Sequence, residues 1–216
     1  MLMLALSRGL VKWAHVVRKG GWETRGAYAN DEVRGKTVGV IGLGNIGSRV
    51  AGLCAAFGMR VVYTDPIERD VPHEPVGLDE LLGLSDVVTL HCQLDDSSRG
   101  MIDGAAMGRM RPGSMLINTA RGGLIDHAAL AESLRSGHLG GFAADVLDIE
   151  PPERDNPLLG IPNVVLTPHV GSLTRTTYRE MCVRSVENVL AVLEGREIDA
   201  GCIFNRAQLA GFEPSH

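Results

Sequence analysis

The sequence predicts an α/β fold, a doubly wound parallel sheet, and two observations carry that expectation. Short apolar runs of strand length alternate along the chain with segments of helical periodicity, the rhythm of successive β-α-β units. One of those runs, Thr37-Val38-Gly39-Val40-Ile41, passes through the glycine-rich turn Gly42-Leu43-Gly44-Asn45-Ile46-Gly47 straight into a helix. No internal repeat or low-complexity segment breaks the rhythm.

The elements follow in order. Met3, Leu6, Leu10, Trp13 and Val17 recur at helical steps and draw one stripe along a helix over 2–18. Gly20-Gly21 ends it, and a polar loop through Asn30-Asp31 leads to the strand at 37–41. Past the turn, Ile46, Val50, Leu53, Cys54 and Phe57 mark one apolar face of the next helix, with Gly58 as its C-terminal stop. Arg60 to Thr64 is the second strand and ends on Asp65. Leu78 to Leu82 reads as a short helix, 86–90 as a strand, 104–110 as a small helix and 114–118 as a strand. Asp126 caps a helix with Ala129, Leu130 and Leu134 on its inner side, and Gly137 lies beyond its end. Residues 141–144 and 163–166 supply two more strands. A last helix over 172–193 places Tyr178, Met181, Cys182, Val186, Val189, Leu190 and Leu193 on one face, and Gly195 stops it. The tail after Ile198 carries little pattern.

At 216 residues the chain has room for one sizeable domain and a fragment of another. The net charge of −5 argues against a nucleic-acid partner. The early basic residues Arg8, Lys12, Arg18, Lys19, Arg25, Arg34 and Lys36 read as a solvated helix face and loop. Cys54, Cys92, Cys182 and Cys202 form no C-x-x-C pair and no metal-ligand spacing, so they read as buried thiols of a reducing cytosol, and no metal is expected. The apolar start, broken by Arg8 and Lys12, is too short to span a bilayer and lacks the pattern of a signal peptide.

Between a strand and a helix, G-x-G-x-x-G is the arrangement that binds a dinucleotide. Gly42 permits the tight turn, Gly44 lets backbone approach a pyrophosphate, and Gly47 lets helix pack on strand. The helix N-terminus then offers N–H groups and a positive dipole end to the phosphates. Asp65 lies about twenty residues past the turn, placed to accept hydrogen bonds from the adenosine ribose, and its charge selects NAD over NADP. Ligands of open α/β sheets sit outside the carboxyl ends of the strands. At those ends stand Thr119-Ala120-Arg121-Gly122-Gly123, then Asp145 with Glu150-Pro151-Pro152, then Thr167-Pro168-His169-Val170-Gly171. Arg121 can grip a carboxylate with two prongs and polarise the carbonyl beside it. His169 can take a hydroxyl proton, and Glu150 can fix its tautomer. That set suits hydride transfer at a carbon bearing a hydroxyl and a carboxylate. His15, His73, His127 and His138 lack this placement, and His91, just past a strand, reads as structural.

In these segments the chain resembles the D-isomer-specific 2-hydroxyacid dehydrogenases, in the family's order over nearly all of residues 1–195. The resemblance implies a Rossmann-type NAD-binding domain over 1–171, followed over 172–216 by a connecting helix and the remnant of a split substrate domain, most of which family members carry ahead of this point. It implies Arg121, Glu150 and His169 as the catalytic trio acting on a small 2-hydroxy or 2-oxo acid. NAD contacts are implied from Gly42, Gly44, Asn45, Ile46, Gly47, Asp65, Thr119, Ala120, Arg121, Asp145, His169, Gly171 and Ser172, and a homodimer through the NAD domain and its first helix. Gln93 stands where the family usually has proline, and Leu147 where an aromatic residue is usual. The competing expectation is an NAD-binding or oligomerising module without turnover.

Overall fold

The computed structural model describes residues 1–67 and 69–203. The chain folds as two units, Met1–His169 and a second that begins at Val170. In the first unit, among the described residues, seven strands form one sheet: β1 (Thr37–Ile41), β2 (Arg60–Thr64), β3 (Glu74–Pro75), β4 (Val87–Leu90), β5 (Met115–Asn118), β6 (Gly141–Ala144) and β7 (Val164–Leu166). Their spatial order is β3-β2-β1-β4-β5-β6-β7, and every pairing is parallel. The expected doubly wound sheet is therefore present.

The order reverses between β1 and β4: the chain first builds outward through β2 and β3, then returns to the other side of β1. The carboxyl ends of β1 and β4 thus flank the switch-point crevice.

Alternate residues of each strand feed two cores, one on each face. Ile41, Val62, Val88, Leu90, Leu116 and Phe142 face one layer, formed by α4 (Leu78–Leu84), α5 (Gly104–Arg109) and α6 (His127–Arg135). Val38, Val40, Val61, Tyr63, Val87 and Ile117 face the other, where α1 (Leu2–Ser7) and α3 (Asn45–Ala56) pack.

Two helical expectations are corrected. The opening segment is two helices, α1 and α2 (Leu10–Arg18), because Gly9 adopts the left-handed conformation (φ 56°) between them. Leu6 alone of the expected stripe is buried; Leu10 and Val17 are exposed. On α3 the buried residues are Gly47, Ala51 and Cys54, whereas Ile46, Leu53 and Phe57 face out. Small side chains let this helix sit close to the sheet. A 3-10 segment, Trp22–Ala27, and the two-residue edge strand β3 had no counterpart in the sequence reading.

The second unit contains α7 (Arg175–Leu193), capped by the Thr174 side chain, and a 3-10 turn at Ala200–Cys202. Tyr178, Met181, Val186, Val189, Leu190 and Leu193 of its apolar face are exposed. The end of the tail lies outside the described residues. The cysteine reading holds for Cys54, which is buried, but Cys182 and Cys202 are exposed; all four are free thiols. No helix among the described residues is long and apolar enough to cross a membrane.

Candidate active site

The glycine turn is built by close contacts. Gly42 continues β1 with its N–H donating to the Thr64 carbonyl (2.9 Å) and takes φ 87°. A β-carbon there would stand 2.6 Å from the Cys92 backbone nitrogen across the switch point. A β-carbon on Gly47 would run into the Gly42 carbonyl oxygen. Gly44, the residue before α3, has open space where its β-carbon would be, and Asn45 and Ile46 behind it are exposed. The turn therefore presents bare backbone and the N-terminus of a twelve-residue helix to the crevice, a cradle that fits a pyrophosphate.

Asp65 closes the turn from β2. Its Oδ2 accepts from the Leu43 N–H (2.6 Å) and its Oδ1 from the Ile67 N–H (2.8 Å), with Arg69 Nη2 3.3 Å away. Burial works against the Asp65 charge, but the Ile67 and Leu43 donors and the Arg69 guanidinium outweigh it and hold the carboxyl below its usual range. The carboxylate thus shapes the turn as well as bounding it, a role the sequence reading did not include. His91 follows β4; its Nε2 lies 3.0 Å from Thr89 Oγ1, and burial pushes its pKa down to about 4. The ring beside the crevice is neutral at physiological pH.

The other residues stand on the next three strand ends. Asn118 ends β5 and folds its side chain back: Oδ1 accepts from the Ala120 N–H (3.0 Å) and Nδ2 donates to the Arg121 carbonyl (2.8 Å). This Asx-type turn sets the path of Thr119-Ala120-Arg121, and Asn118 is a site residue the sequence reading passed over. Thr119 and Arg121 are exposed; Arg121 Nη1 donates to the Ala120 carbonyl (2.7 Å). Asp145 follows β6, is buried, and accepts a short hydrogen bond from the Thr167 hydroxyl. Thr167 follows β7, so this bond ties two strand ends together.

Glu150 and His169 meet. His169 Nδ1 lies 2.7 Å from Glu150 Oε2, while Glu150 Oε1 accepts from the Leu147 N–H (2.9 Å). The hydrogen bond to His169, then the Leu147 donor, hold the Glu150 carboxyl below its usual range. His169 is the one non-glycine residue with positive φ (54°) among the described residues. Such a conformation costs free energy and is concentrated at functional sites. Arg121 does not share a hydrogen bond with this pair; its segment meets theirs through Gly122, whose position leaves no room for a β-carbon beside the Leu147 carbonyl. Gly171 and Ser172 belong to the second unit. Among the described residues no three His, Cys, Asp or Glu side chains form a metal-holding group.

The family model for the D-isomer specific 2-hydroxyacid dehydrogenase NAD binding domain matches residues 1–171. A hydroxypyruvate reductase of Thermotoga maritima is 40% identical over 196 residues, covering 89% of this chain and 64% of that protein. The crystal structure of a Thermus thermophilus protein superposes with a TM-score of 0.87 at 43% identity, covering 91% of this chain and 63% of that one. A D-lactate dehydrogenase from Aquifex aeolicus, solved with NAD and lactic acid, gives 0.83 at 31% identity, over 90% of this chain and 64% of that one. This chain therefore spans less than two thirds of the length of the relatives it matches. It belongs to the D-isomer-specific 2-hydroxyacid dehydrogenase family and carries that family's NAD-binding domain.

Proposed function

We propose that the chain carries the hydride-transfer site of an NAD-dependent dehydrogenase of small D-2-hydroxy acids. The observation that carries this reading is the Glu150–His169 pair at 2.7 Å, after adjacent strands β6 and β7 on the same carboxyl edge of the sheet as the glycine turn. When bound, the nicotinamide accepts or returns a hydride. The residues Gly42, Gly44, Asn45, Ile46, Gly47 and Asp65 would hold the adenosine and pyrophosphate, and Thr119, Ala120, Arg121, Asp145 and His169 the nicotinamide half.

With Nδ1 committed to Glu150, His169 Nε2 is the nitrogen that takes the proton from the substrate hydroxyl, and returns it in the reduction direction. The Glu150 carboxylate accepts from Nδ1 and so fixes the tautomer that leaves Nε2 facing the substrate. Arg121 holds the substrate carboxylate in a bidentate grip and polarises the neighbouring carbonyl. Residues 1–171 form the NAD-binding domain in this reading, and 172–216 a connecting helix with part of a substrate domain. The exposed apolar face of α3 supports a homodimer formed through the NAD domain, and the free thiols support a reducing, cytoplasmic setting.

The test is NADH binding followed by fluorescence, with turnover of glyoxylate, hydroxypyruvate and pyruvate. NADH should bind, and Arg121→Ala should lower turnover about a hundredfold or more. A folded sample that leaves NADH fluorescence unchanged overturns the cofactor assignment. Tight NADH binding without turnover of any 2-oxo acid favours the NAD-binding module instead.

A further inference from the structure

We propose that His127 and Asp148 form a clamp that positions Glu150 for His169; the proposal rests on the roles just given to those two residues. His127 is the first residue of α6 and its side chain is only 8% exposed. Its Nδ1 lies 2.7 Å from Asp148 Oδ1, a contact of close approach rather than of hydrogen-bond alignment, and its Nε2 is buried with no hydrogen-bond partner among the described residues.

A buried ring with an unpartnered nitrogen costs free energy that an apolar side chain at the same place would not. The helix does not require it: the cap of α6 is the Asp126 carboxylate, which accepts from the Ala128 and Ala129 N–H groups at 3.0 Å. What the imidazole does is meet Asp148.

Asp148 sits in the turn between β6 and Glu150. Its Oδ1 also accepts from the Ile149 N–H (2.9 Å), and the residue before it, Leu147, donates its N–H to Glu150 Oε1. Gly122 lies against the Leu147 carbonyl and the Asp148 nitrogen so closely that a β-carbon would overlap both. The turn that carries Glu150 is thus held from the segment that carries Arg121 at two points, by backbone packing at Gly122 and by the close polar contact of His127 with Asp148. His127 acts through Asp148 on Leu147 and Glu150. It is a positioning residue, with no contact to substrate implied.

The experiment uses the full chain. The Glu150 carboxyl is titrated by carbon-13 NMR, exchange of the Leu147 amide is followed, and NADH affinity and thermal unfolding serve as controls, in wild type and in His127→Ala, His127→Asn and Asp148→Ala. In His127→Ala and Asp148→Ala the Glu150 midpoint should move up toward that of a free glutamate, and Leu147 protection should fall by on the order of tenfold, with NADH affinity unchanged. His127→Asn, which keeps a polar group near the Nδ1 position to meet Asp148, should restore both. A merely structural role would lower the unfolding temperature and leave Glu150 titrating as in wild type; that result overturns the proposal, as does an Asn variant that behaves like Ala. Asp148 is exposed, so Asp148→Ala decides the question if His127→Ala does not fold. If Glu150 titrates like a free glutamate already in wild type, or ignores His169→Ala, the Glu150–His169 assignment fails instead.

Discussion

The turn after β1 is fixed by where a β-carbon cannot go. On α3, Gly47 lies against the Gly42 carbonyl, whereas Gly52 on the same helix has open space around its missing side chain. Gly47→Ala is therefore expected to cost more than about 2 kcal/mol or to prevent folding, by the route of overpacking against backbone. Gly52→Ala should stabilise the protein by about 0.5–1 kcal/mol, because alanine loses less backbone freedom in a helix. Urea denaturation of the two variants checks both signs. Across the crevice, His91 makes a separate prediction. Its folded pKa of about 4 lies below the ordinary 6.5, so the unfolded chain takes up the proton more readily. Stability is complete above about pH 6.5 and declines as pH falls toward 4, by up to about 3 kcal/mol. His91→Asn should flatten that part of the stability-against-pH curve; an unchanged slope would place the titrating group elsewhere.

Among the elements, α3 shows how a helix can bury its less apolar face. Gly47, Ala51 and Cys54 meet the sheet, and Ile46, Leu53 and Phe57 do not. Ala51→Leu should destabilise by about 1–3 kcal/mol through overpacking. Leu53→Glu should leave the folded unit's far-UV spectrum intact and, if the exposed stripe seats a second copy, lower the sedimentation mass to that of one chain. Hydrophobic periodicity locates α3 correctly and puts Cys54 and Val50 against the core, but it also assigns the exposed Ile46, Leu53 and Phe57 there, because close helix–sheet approach selects small residues and periodicity weighs large ones. The same scale explains the other differences. Gly9 breaks the first helix although the stripe from Met3 to Val17 runs through it, since a left-handed glycine is invisible to a pattern of side chains. β3 is Glu74-Pro75, with no apolar run to announce it. The strand ends that carry the candidate site were more legible than these, because Asp65, Arg121, Glu150 and His169 all follow strands that could be read, and a parallel sheet gathers its carboxyl ends on one edge. Asn118 and His127 were not legible, since their roles come from where their side chains find partners.

For the first unit as a whole, the placement of the turn couples cofactor binding to global stability. β1 is a central strand, paired along its length with β2 on one side and with β4 on the other. Asp65 links the turn after β1 to the end of β2 through Leu43. A ligand held by this turn is bound by the folded sheet and not by the unfolded chain, so NAD at a hundred times its dissociation constant should stabilise the unit by about 2.7 kcal/mol and raise its unfolding temperature by about 5–10 °C. Asp65→Ala removes the acceptor that orders Leu43 and, in the proposed site, the group that meets the adenosine, and should lose most of that rise in addition to lowering the starting temperature. His169→Ala alters an exposed residue that the proposal gives the proton-transfer role, and should keep the rise while abolishing turnover. Equal losses in the two variants would mean that binding energy is spread along the strand ends, and a rise retained in Asp65→Ala would remove Asp65 from the cofactor site.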